Sequence, residues 1–159
     1  MLEVKIITVG SLKETYLKDA IAEYLKRLSA FSRVEITELK EYKLPDDPSG
    51  KDIEKALLDE ADRIFKAIPK KAYVIPLCVE GQQCSSETLA KKFEEISLVS
   101  GTVCFIIGSS HGLHDSVKEL GSFRLSISKL TFPHQLMRVM LLEILYRTFN
   151  IIKGTKYHK

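Results

Sequence analysis

Three short polar loops, each directly after an apolar run, carry the residue types that bind ligands: Glu80-Gly81-Gln82, Gly108–Gly112 and Ser128–Pro133. Glycine and small hydroxyl side chains leave main-chain N–H and C=O groups open to an incoming molecule. In open parallel sheets, ligands gather where such loops leave the C-terminal ends of strands. The three loops are therefore expected to line one pocket. The middle one, in Ile107–His114 (IGSSHGLH), is like a phosphate loop in its two glycines and two serines before a helix. It lacks the spacing of a dinucleotide fingerprint, and no Gly-Lys-Ser/Thr follows. Taken alone it describes a tight strand-to-helix turn equally well.

The elements that must position these loops follow from hydrophobic period. Val4–Val9 reads as a buried strand, and Lys13–Ala30 as a helix with Leu17, Ile21, Tyr24 and Leu28 at helical spacing. Arg33–Leu39 alternates like a strand with one wetter face, and Leu44–Lys51 (LPDDPSGK) is a loop before a helix over about 52–67. Tyr73–Val79 is the next strand, turned by Gly81, and Ser85-Ser86-Glu87 offers a cap to a helix over Thr88–Leu98. Thr102–Ile107 is a continuous apolar strand. A short helix after Gly112, a fifth strand at Phe123–Ser128 and a long helix from Gln135 to about Ile152 complete the chain. Strands separated by helices imply an α/β fold, a mainly parallel sheet with helices on both faces. The last helix is apolar nearly all round, from Leu136 and Met137 to Tyr146 and Phe149, so it is either central to the monomer or packed partly against a second copy.

At 159 residues, 45% hydrophobic and 28% charged, the chain is expected to form a single domain over 1–159 without repeats or a membrane span. The opening MLEVKIITVG carries Glu3 and alternates like a strand, unlike an export signal, so a cytoplasmic protein is expected. Cys78, Cys84 and Cys104 show no metal-ligand spacing, and they read as reduced, buried thiols with neither a metal nor a disulfide. The net charge of +3 is unevenly spread. Within 129–159, Lys129, Arg138, Arg147, Lys153, Lys156 and Lys159 face the single acid Glu143, which suggests a polyanionic partner at that end.

Four segments carry a resemblance. VGSLKETYLKDAIAEYLKRL at 9–28, IGSSHGLH at 107–114, LSISKLTFPHQLMR at 125–138 and KGTKYHK at 153–159 resemble the RlmH (YbeA) family of SPOUT methyltransferases, at matching positions along essentially the whole chain. The resemblance implies a C-terminal trefoil knot and cofactor site within about 73–159, a homodimer, and S-adenosylmethionine as cofactor. It implies methylation of N3 of a pseudouridine in helix 69 of bacterial 23S ribosomal RNA, on the assembled ribosome, with no metal. Carried over by position, Leu77, Gly108, Ile127, Ser128, Lys129, Leu130, Thr131 and Phe132 would hold the cofactor.

Polar assistance to the reaction is expected from Arg138 and His134, with Tyr157 and His158 supplied by the tail. An arginine in so apolar a helix needs an anion or a partner. Tyr157 is suited to stacking on a base, and Lys153, Lys156 and Lys159 to meeting phosphates. The chain departs from the family where Ser109, Ser110 and His111 replace a glycine pair and asparagine, and where Gly154-Thr155-Lys156-Tyr157-His158 replaces the usual GExYH ending. Two other readings are a non-enzymatic ribosome-binding protein and a nucleotide-binding Rossmann-like enzyme. Binding of S-adenosylmethionine separates both from the first.

Overall fold

The computed structural model describes residues 1–159. Four strands, β1 (Glu3–Val9), β2 (Val34–Leu39), β3 (Tyr73–Gln82) and β4 (Thr102–Ile107), form one sheet in the order β2-β1-β4-β3. Every pairing is parallel, with Ile6 opposite Ile36 on one side and Phe105 on the other. The central strand β4 is almost wholly buried, which is why it reads as a continuous apolar run, and its neighbour β1 is buried except at Glu3 and Lys5.

Residue alternation along those strands divides the core in two. Val4, Ile6, Val103, Phe105 and Ile107 face α1 (Thr15–Leu28), α3 (Ser86–Val99) and α5 (His134–Ile152). Ile7, Val9, Cys104 and Ile106 face α2 (Gly50–Ala67) and the one-turn α4 (Asp115–Lys118). Each fully buried Leu, Ile or Phe contributes about 1.5–3 kcal/mol, so the larger cluster around α5 dominates the packing.

Local signals set the helix starts. Ser49 and Asp52 form a reciprocal capping box at α2, and the Thr88 amide donates to Ser85 Oγ at α3, the cap expected from the sequence. Helix α5 lies between α1 and α3, with Leu141, Leu142 and Leu145 fully buried, so its apolar character is largely that of a central helix. Its Leu136 and Met140 are half-buried and belong to neither core cluster.

Two expectations are corrected. Phe123–Ser128 is not a fifth strand: only Leu125 makes sheet-type bridges, to Leu77 and to Gln82. The segment is held at that one residue by parallel bridges instead of pairing along its length. Gly81 does not end β3, which runs on to Gln82 and wraps round 124–126, with the Gln82 amide donating to Arg124 O and the Ser126 amide to Gln82 O. Of the cysteines, Cys104 is buried while Cys78 and Cys84 are half-buried. No helix is long and apolar enough to cross a membrane, and no group of three His, Cys, Asp or Glu side chains is placed to hold a metal.

Candidate functional site

The wrapped segment brings the second and third loops against the last half of β3, which takes the place of the expected first loop and contributes only Glu80 of its three residues. Together they enclose a cavity of about 310 Å3, walled by Leu77–Glu80, Ile107–Leu113 and Ile127 to Phe132, with α5 closing it at His134 and Met137. Of the eight residues expected to hold a cofactor, Leu77, Gly108, Ile127, Ser128, Leu130, Thr131 and Phe132 line this cavity. Lys129 does not.

Each loop has its own means of support. A Cβ on Gly108 would stand 2.2 Å from Gly112 O, so glycine there is required by closure of the turn itself. Gly112 takes φ +83° and donates its amide to Ser109 O, completing a backbone-lined wall. Beneath it, Ser109 Oγ donates to Glu60 Oε1 at 2.9 Å, and the same buried carboxylate accepts the Tyr42 amide at 2.9 Å. Glu60 thereby ties the second loop to the chain that follows β2. In the third loop the Leu130 amide donates to Ser128 Oγ, and Leu130 itself is largely exposed at the rim.

Gly81 is hemmed in by backbone on the other side of the cavity wall. A Cβ there would lie 2.9 Å from Arg124 O, Leu125 C and Ser126 N, all backbone atoms. Glu80, from the first of the expected loops, pairs in the cavity wall with Lys118, which was not singled out from the sequence. The Lys118 ammonium holds the Glu80 carboxyl below its usual range, so the wall carries an ion pair. Nothing in the spacing of two residues 38 apart signals such a pair. Cys78 also lines the cavity, its thiol pushed up by burial.

The four residues expected to assist chemistry separate into two places. His134 stands at the cavity, and burial pushes its pKa down, with Glu41 opposing and Arg138 adding to the shift; it is therefore neutral at pH 7. Arg138, one turn later and only 2% exposed, donates from Nη1 to Glu38 Oε2 at 2.6 Å and from Nη2 to Gly10 O at 2.7 Å, while its Nε has no partner. Its anion is thus Glu38, and it lies behind the site, outside the cavity lining.

The tail folds back along α5. Tyr157 Oη donates to the Glu143 carboxylate, its ring meets Tyr146 edge-on at 4.8 Å, and the Arg147 guanidinium lies over it. His158 Nε2 is 2.8 Å from Glu87 Oε1. At 1.5 Å rise per residue, Glu143 lies roughly 14 Å along the helix from His134, so neither tail residue reaches the cavity of its own chain.

Residues 2–158 match the family described as "Predicted SPOUT methyltransferase". The chain is 45% identical to the ribosomal RNA large subunit methyltransferase H of Bacillus pumilus and 46% identical to that of Streptococcus gordonii, covering 99% of this chain and 100% of each relative. A protein of Methanococcus maripaludis that carries the same name provisionally is 48% identical over the same shares. Among solved structures, a tRNA methyltransferase of Aquifex aeolicus superposes with TM-score 0.54 at 11% identity, over 99% of this chain and 73% of that one.

Proposed function

The chain belongs to the SPOUT methyltransferase family, and from that premise we propose that it methylates N3 of a pseudouridine in helix 69 of large-subunit ribosomal RNA, using S-adenosylmethionine. The observation that carries the reading is the single cavity built where β3 meets two separate loops, seven of whose residues are those that family position assigns to the cofactor.

The cavity suits that molecule. About 310 Å3 falls at the low end of the range for ligand pockets. Leu77, Ile127 and Phe132 offer a flat ring apolar contact, while the glycine-containing loops offer main-chain donors and acceptors to its edge. When bound, S-adenosylmethionine supplies a methyl group on a sulfonium that departs as a neutral thioether. The proton of the acceptor nitrogen must go elsewhere, and neutral His134 at the cavity mouth is suited to accept it. Arg138 acts as a positioning residue, holding Glu38 and the Gly10 carbonyl beneath that histidine.

The protein works in the cytoplasm as a homodimer, with its C-terminal part threaded as a trefoil knot. Leu136 and Met140, half-buried and outside both cores, support a second copy on α5. The distance between tail and cavity supports Tyr157 and His158 serving the partner's site. A methyl-transfer assay on ribosomes from a strain lacking the enzyme tests the function directly. Label should enter the large-subunit RNA at one pseudouridine; folded protein that binds no S-adenosylmethionine in calorimetry would refute it.

A further inference from the structure

A second cavity, of about 520 Å3, opens at the C-terminal ends of β1 and β2. Around Gly10 it gathers Ser11, Lys13, Lys40, Glu41, His134 and Gln135. None of these six side chains makes a hydrogen bond or ion pair within the chain, whereas Glu38, also in the wall, is engaged by Arg138 and the Leu12 amide. Gly10 forms an open floor. It takes φ +98°, and a Cβ on it would stand 3.3 Å from Glu41 Oε2 and 3.7 Å from His134 Nε2. Two acceptors therefore converge beside a residue with no side chain, at a spacing that a Cβ would already crowd. Buried Arg138 secures that floor from below through Gly10 O.

We propose that this second cavity is the acceptor-base subsite, receiving the imide edge of a pyrimidine while Lys13 and Lys40 at its mouth hold the adjoining phosphates. The inference rests on the methyltransferase reading above and names where its substrate sits. An imide presents one N–H between two carbonyls, so it needs an acceptor flanked by donors. His134 Nε2 and the Glu41 carboxylate are the acceptors here, and the Ser11 hydroxyl and the Gln135 amide are the donors. Position agrees with chemistry: His134 is the one residue that lines both cavities, so a base seated in the second faces a methyl donor held in the first. Lys13 and Lys40 are exposed and unpaired, as phosphate-contacting lysines must be.

The test uses the full-length protein. Replacing Lys13 and Lys40 together by Ala should raise both KM and the co-sedimentation Kd for ribosomes about tenfold or more, and reduce the slope of log affinity against log salt by roughly two. Affinity for S-adenosylmethionine, read by calorimetry, should stay the same. Gln135→Leu should lower kcat/KM at least about fivefold with ribosome Kd little changed, as loss of one hydrogen bond to the base requires. Unaltered KM, Kd and salt slope in the double variant, an equal loss of S-adenosylmethionine affinity, or an unaffected Gln135→Leu protein would each overturn the subsite while the parent still methylates. A parent that binds S-adenosylmethionine yet methylates no ribosome overturns the functional reading and the subsite with it.

Discussion

On the proposed function His134 accepts the proton, and its surroundings set a pH dependence. Burial keeps its pKa below the ordinary value of about 6.5, so the imidazole is neutral and able to accept a proton throughout the neutral range. The sign follows: kcat/KM should be level from about pH 7 to 8 and fall on the acid side only below about 6.5, as protonation removes the acceptor. A His134→Asn variant should be at least about a hundredfold slower and lose that acid limb. Rate profiles on ribosomes provide the check, and a limb centred at pH 7 or above would give the proton to another group. Much at this scale was legible beforehand because the types are unusual where they stand: a histidine opening an apolar helix, an arginine within it. Arg138's partner was not, since Glu38 lies 100 residues upstream and no spacing rule connects them. Lys129 shows the converse limit. Its loop lines the cavity, but which side chains of an irregular loop face inward is decided by local turns such as the Leu130 amide on Ser128 Oγ, which residue type does not reveal.

Among the elements, β4 and α3 followed directly from pattern: a strand buried on both faces must be a continuous apolar run, and Ser85 supplies a helix with its missing acceptor. The stretch 123–128 misled for a physical reason. Its alternation suits a strand, but a strand needs successive paired residues, and here only Leu125 pairs, in parallel bridges to Leu77 and Gln82 as β3 wraps round it. Gly81 lies where the two backbones approach closely. Gly81→Ala should cost about 1–3 kcal/mol, because three backbone atoms at 2.9 Å cannot all yield, which for a chain this long lowers Tm by roughly 2–12 °C. S-adenosylmethionine binding should weaken in parallel, since the displaced segment leads directly into Ile127 and Ser128. Thermal melts and calorimetry on the one variant measure both. An unchanged Tm would mean that 124–126 does not lie against β3.

For the whole molecule, the separation of tail from cavity leads to a complementation experiment. Deleting Gly154–Lys159 removes Tyr157 from its place on Tyr146 and Glu143 but leaves both core clusters intact, so the protein should remain folded and lose methylation. Mixed dimers of that truncation with a His134→Asn chain should regain activity, because one cavity then keeps its histidine and receives a whole tail. A fully active truncation would dispose of the tail's role. The overall architecture was legible, whereas the second cavity was not, because it joins the ends of β1 and β2 to the start of a helix more than ninety residues later. The bridging at Leu125 also bears on the order of synthesis. All four strands have been made by Ile107, yet the donor cavity has no third wall until 127–132 arrive, and the main core stays open until α5 follows. On the proposed function, a chain still being translated cannot hold a methyl donor, so the ribosome that makes the enzyme is never its substrate until the finished product has been released.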